Sequence, residues 1–147
     1  MTYFRECIAT GSHAMHIDAD VAGAVRPWHP DLDLGRVSLH DAGPVAWFVR
    51  TVIRQGAMTL GHRVYFGRST FDPRNARSLA LLVHELQHVT QVERLGLIRF
   101  FAKYAWALAR NRFRYSHDLP LEAEAHAVQA AALGPLERLI EERSHDI

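Results

Sequence analysis

The chain has 147 residues, 48% of them hydrophobic and 22% charged, a balance that suits one ordinary globular domain with a real core. Its formal net charge of +1 argues against a general nucleic-acid-binding surface, and its single cysteine, Cys7, excludes an internal disulfide and a cysteine-based metal site. The opening residues lack a long apolar run and carry Glu6 early, so they do not read as a signal peptide. The expected location is the cytoplasm, or outside the cell by a specialised, non-classical export route.

Residues 1–35 are punctuated by Gly11, Gly23, Pro27, Pro30 and Gly35 and carry little periodic signal. His13, His16 and His29, scattered among them, read as surface or turn residues rather than ligands. Residues 36–40 are a short strand candidate. Pro44 suits a first helical turn, and residues 45–55 continue as a largely apolar helix that Gly56 ends, with Trp47, Val52 and Ile53 in the core. Residues 57–60 and 63–67 read as two strands joined by a tight turn at Gly61 and His62, with Tyr65 and Phe66 on opposite faces of the second. That second strand, 63–67, is a candidate edge strand for pairing with an extended substrate; a hairpin that only packs on the next helix is the alternative.

After Asp72 and Pro73 comes an apolar run that contains His84-Glu85-Leu86-Gln87-His88. Two histidines four residues apart on a helix project from one face about 6 Å apart along the axis, so their imidazoles can converge on one ion. Zinc suits neutral imidazole, and a catalytic zinc site keeps three protein ligands and one open position for water. Glu85 follows the first histidine and can reach that water as a general base. An ordinary amphipathic helix with solvated histidines would carry the same five residues. The surroundings favour the metal: Leu79, Val83, Leu86 and Val89 form a stripe at helical spacing, separate from His84 and His88, so one face can anchor the helix while the other presents ligands. Gly96 is the expected stop.

Residues 97–114 read as a second helix, too short for a comfortable membrane span and interrupted by Arg99 and Lys103. From Arg94 to Arg114 there are six basic residues and no acidic ones. Such a helix can lie on a membrane surface or dock on a partner. The preferred expectation is core packing of Phe100, Tyr104 and Trp106 beside the metal helix, with the basic side chains snorkelling outward.

A third ligand must come from elsewhere, and residues 119–127 are the obvious source, a helix start carrying Glu122, Glu124 and His126. Glu122 and His126 are four apart and share a face, while Glu124 points away. Glu122 is the expected ligand, with His126 behind it orienting a ligand by hydrogen bond; His126, His117 and Glu124 remain alternatives for the third position. Tyr115 or His117 would add a donor to a developing oxyanion.

The two histidines of residues 84–88 followed by Glu122 and His126 resemble the gluzincin class of zinc peptidases, the thermolysin-like group. In that class a glutamate on a second helix is the third ligand, and the residue four positions later supports the site. This chain departs from the class at His126, where aspartate is usual. A broader pattern over about residues 36–130 combines residues 56–67, residues 81–91, Tyr115 and residues 120–125. It resembles a bacterial family of zinc metallopeptidase domains that often accompanies extracellular contractile injection systems and toxin-like proteins. The resemblance implies an α+β, mostly helical, minimal zincin-like domain over residues 1–147, with a short β-hairpin before the HExxH helix. It also implies Zn²⁺ on His84, His88 and Glu122, and hydrolysis of peptide bonds in a peptide or protein substrate through a zinc-activated water with Glu85 as base. The competing expectation is a metal-binding but non-hydrolytic module that docks on a protein or membrane surface through residues 94–114. No nucleic-acid partner and no transmembrane segment are expected.

Overall fold

The computed structural model describes residues 14–53, 56–67, 71–112, 114 and 119–146. Short strand β1 (Ala14–His16) leads into α1 (Ala19–Val25), whose first turn is capped by Asp18 Oδ1 accepting from the Val21 amide at 2.8 Å. Two single 3-10 turns, Arg26–Trp28 and Leu34–Arg36, carry the chain to β2 (Ser38–His40). Helix α2 (Pro44–Phe48) begins on Pro44 as expected but passes into a π-helical turn, Val49–Ile53, instead of running on as regular α-helix.

Trp47 corrects its expected core position, being 61% exposed. Ala46 and Val49, three apart, take the buried face of this segment, and a residue one step from Ala46 is turned about 100° away from it. The side chains of Val52 and Ile53 lie outside the described residues.

The hairpin forms as its alternation and turn residues require. Strand β3 (Ala57–Leu60) pairs antiparallel with β4 (Arg63–Phe66), Met58 opposite Tyr65 and Leu60 opposite Arg63. Gly61 closes the turn at φ +63°, a conformation that glycine adopts without a Cβ penalty. Phe66 enters the core, and Tyr65, on the other face, stacks on His40 with ring centroids 4.9 Å apart.

The sheet order is β1-β2-β4-β3, with β2 and β4 parallel and the outer pairs antiparallel. This overturns the edge-strand expectation for residues 63–67. Strand β4 is bonded on both sides, and β3 is the outer strand next to it. Because Gly67 N donates to Gly56 O at 2.9 Å, the alternation of an antiparallel ladder puts Ala57 and Thr59 at non-bonded positions. Their peptide groups face away from β4.

The longest run of order then begins. Asn75 caps α3 (Ala76–Leu95), its Oδ1 accepting from the amides of Arg77 and Ser78, and Gly96 ends the helix at φ +79°. The stripe of Leu79, Val83, Leu86 and Val89 is completely buried. From Gly96 the chain turns directly into α4 (Leu97–Arg110). α5 (Pro120–His145) starts with Pro120 in its first turn and continues through Pro135.

One buried cluster draws together Val25 of α1, Leu39, Val64 and Phe66 of the sheet, the α3 stripe, and Ala132 and Leu136 of α5. A second, smaller cluster of Val92, Phe100 and Leu121, with Leu95 and Tyr104 against it, joins α3, α4 and the first turn of α5. Helix α4 departs from the packing expected of it: Phe100 is buried and Tyr104 half-buried, but Trp106 stands 67% exposed. Two turns of α4 touch the body along one narrow seam, and Trp106 falls on the far side of it.

Candidate metal centre

Helix α3 carries His84 and His88 one turn apart, and its most extensive neighbour, α5, brings Glu122 to them from its first turn. The three side chains are buried, and one ligand atom of each lies within 4.8 Å of the others. The carboxylate divides its oxygens: Oε2 is 3.4 Å from His84 Nε2 and Oε1 is 3.4 Å from His88 Nε2. Two imidazoles and a carboxylate this close together could hold one metal ion. Burial acts to lower the His88 pKa, yet the Glu122 and Glu85 carboxylates and the Gln91 hydrogen bond together outweigh it and the net shift is upward.

The rest of the His84–His88 face holds these ligands in place. Positions 84, 87, 88 and 91 follow the i, i+3, i+4, i+7 spacing of one helical face. His88 Nδ1 lies 2.9 Å from Gln91 Oε1; since that oxygen only accepts, His88 donates from Nδ1 and keeps the Nε2 lone pair for the centre. Gln91, fully buried, donates in turn to Leu121 O at 3.0 Å and Glu124 Oε2 at 3.1 Å, tying α3 to the turn that bears Glu122. Gln87 donates to Glu124 at 2.9 Å, and Arg94 grips the same carboxylate with both terminal nitrogens at 3.2 Å. Burial would raise the Glu124 pKa, but these donors outweigh it and lower it. Glu124 is thereby a strut between helices, on the side away from the metal group.

His84 is held differently. Its Nδ1 is buried with no hydrogen-bond partner among the described residues, and its ring is wedged between those of His88 and His126, at 5.0 and 4.5 Å. His126 lies behind the carboxylate, its Nε2 3.9 Å from Glu122 Oε2.

Glu85 is almost completely buried beside the ligands, and Thr59 of β3 donates to its Oε2 at 2.6 Å. Burial raises its pKa, and the nearby His88 and His84 pull it back down in part. Thr59 is one of the two β3 residues whose peptide groups face away from β4, so the same strand touches the Glu85 carboxylate and carries outward peptide groups beside it.

Sequence reasoning missed Thr59, Gln91 and Tyr104. Tyr104 of α4 donates from its hydroxyl to Glu122 Oε1 at 3.3 Å; burial, and then the Glu122 charge, push its pKa up, so the phenol stays protonated as a donor. Gln91 had a signal, since it continues the face of His84 and His88. Thr59 and Tyr104 had none, because their partners lie 26 and 18 residues away. Tyr115 and His117, the expected oxyanion donors, lie outside the described residues.

His29 sits in a turn, one of the two placements expected of it, and is buried there, with Nε2 donating to Val83 O at 2.9 Å, and burial lowers its pKa. It fastens the N-terminal segment to α3 just before the metal residues. Of the other two, His16 is exposed on β1 and His13 lies outside the described residues.

A groove of about 510 Å³ runs between α4 and the start of α5, bordered by Lys103, Trp106 and Arg110 and reaching Tyr104 and Leu121.

A family model described as the eCIS core domain matches residues 16–96, more than half of the chain. The matched stretch holds β2, β3 and β4 together with His84, Glu85 and His88, and stops before Glu122. No curated protein and no solved structure matches the chain.

Proposed function

The chain belongs to the eCIS core domain family, and from that premise we propose that it is a zinc-dependent peptide hydrolase with His84, His88 and Glu122 as ligands and Glu85 as general base. The observation that carries this reading is the buried Glu122 carboxylate with one imidazole nitrogen 3.4 Å from each oxygen. Two imidazoles and one carboxylate are a donor set that suits zinc and leaves a fourth position open. When bound, zinc supplies a Lewis acid for the scissile carbonyl and a water of lowered pKa.

The chain's own residues supply the remainder. Glu85 takes the proton of the attacking water on its carboxylate; Thr59 holds one oxygen of that group, leaving the other for the proton. Burial raises the pKa of Glu85, which makes its carboxylate a stronger base. Gln91 orients His88, and Tyr104 and His126 flank the Glu122 carboxylate. The outward peptide groups of Ala57 and Thr59 offer an extended peptide a strand to pair with, the role first expected of residues 63–67.

Glu85→Gln tests the mechanism. It should keep zinc at the wild-type level and lose chelator-sensitive digestion of casein or a peptide library by at least about 100-fold, the lower end of general-base contributions. Unchanged turnover would remove Glu85 from the mechanism. A second reading, a metal-binding module that does not hydrolyse, draws support from His126 standing where the gluzincin class has aspartate and from the bare outer face of α4. It predicts zinc without digestion in the wild type itself.

A further inference from the structure

Helix α4 is more exposed than its composition warrants. Of its fourteen residues only Phe100 is buried, while Ile98 is 85% exposed and Trp106, Leu97 and Phe101 are each more than 40% exposed. At 100° per residue, Phe100 and Tyr104 define the seam against the body. The opposite, outward face presents Ala102 and Ala109 at its centre, flanked by Ile98 and Trp106. Beyond Trp106, Arg99, Lys103 and Arg110 line one rim of that face. The small central residues let the helix approach a flat surface closely, and the flanking pair gives it two apolar anchors.

The charge distribution says what kind of surface. Helix α4 holds three basic residues, Arg99, Lys103 and Arg110, and no acidic one in a chain of net charge +1, so the rest of the chain carries −2. An anionic surface attracts this helix and repels the remainder, which both binds the molecule and orients it. Arginine, lysine and tryptophan around an apolar face are the residues that settle at the headgroup level of a bilayer. Among the described residues no helix is long and apolar enough to cross a membrane.

We propose that α4 docks the protein on an anionic lipid surface, lying in the plane of the membrane with Ile98 and Trp106 in the headgroup boundary and Arg99, Lys103 and Arg110 against lipid phosphates. The proposal does not depend on hydrolysis. Docking would bring the surface to the helix whose inner side carries Tyr104 and Phe100, the residues that touch Glu122 and His88.

The test is co-sedimentation of the full chain with phosphatidylcholine vesicles containing roughly 30% phosphatidylserine, against pure phosphatidylcholine. The wild type should bind the anionic vesicles at least about tenfold better and lose most binding between roughly 50 and 500 mM salt. Ile98→Asp combined with Trp106→Ser should abolish binding, and Arg99→Gln with Lys103→Gln should reduce it, both with unchanged thermal melting and zinc content because these side chains lie at the surface. No sedimentation at low salt, or equal binding by wild type and variants, would overturn the proposal. A wild-type dimer that Ile98→Asp converts to monomer, with vesicles ignored, would overturn it in favour of a second copy of the chain. Preference for an acidic peptide over vesicles would overturn it in favour of a protein partner.

Discussion

Gln91 ties His88 to α5: it accepts from His88 Nδ1, donates to the peptide carbonyl beside Glu122 and shares Glu124 with Gln87 and Arg94. Gln91→Met keeps the volume and removes these bonds. It should lower zinc affinity by roughly 10–100-fold in a chelator competition, the usual cost of losing a ligand's hydrogen-bonded support. Unchanged affinity would mean that packing alone orients His88. At this scale the sequence was most readable where chemistry and spacing coincide. His84 and His88 stood out as a pair within five residues, and Glu122, expected from the need for a third donor, lies beside them. Gln91 was visible only as a face position, and Thr59 and Tyr104 depend on pairings made across 26 and 18 residues. No local pattern records these.

Helix ends were legible for the same local reason. Gly96 stops α3 at a positive φ, and Pro44 and Pro120 open their helices. In the sheet the hairpin and the strand candidate at 36–40, now β2, were legible, but their pairing was not, because the parallel pairing of β2 with β4 is a long-range choice, and it converts the expected edge strand into a central one. The exposure of Trp47 and Trp106 was misjudged from hydrophobicity alone, which fixes a preference and not a direction around the helix. The burial of His29 hid behind a turn-rich segment. That residue gives the N-terminal segment a pH dependence with a definite sign. Its folded pKa lies below the ordinary 6.5, so the unfolded chain takes up the proton first as pH falls. The stability tied to this contact is complete above about 6.5 and declines below it. His29→Gln keeps a donor for Val83 O without titrating, so between pH 7.5 and 5.5 the wild type should lose more Tm than the variant. Equal losses would place the acid sensitivity elsewhere.

On the scale of the whole molecule, the family-matched residues 16–96 supply β2, β3 and β4, Glu85 and the two histidines of the candidate centre, and Glu122 joins them only when α5 packs along α3. The main core makes that packing firm: Leu79, Val83 and Leu86 of α3 and Ala132 and Leu136 of α5 belong to one buried cluster. Glu122 is thus presented by the fold's largest helix pair rather than by a loop, which is how a carboxylate and two imidazoles remain buried together at close range. The proposed function rests on that three-residue centre. Its most direct test is zinc content per chain, measured on the wild type and on Glu122→Ala purified in parallel, with circular dichroism to establish that both are folded. We expect close to one zinc per wild-type chain and a sharp fall in the variant. Equal zinc in the two would move the third ligand away from Glu122, and no zinc in either after reconstitution would contradict a metal centre on this helix.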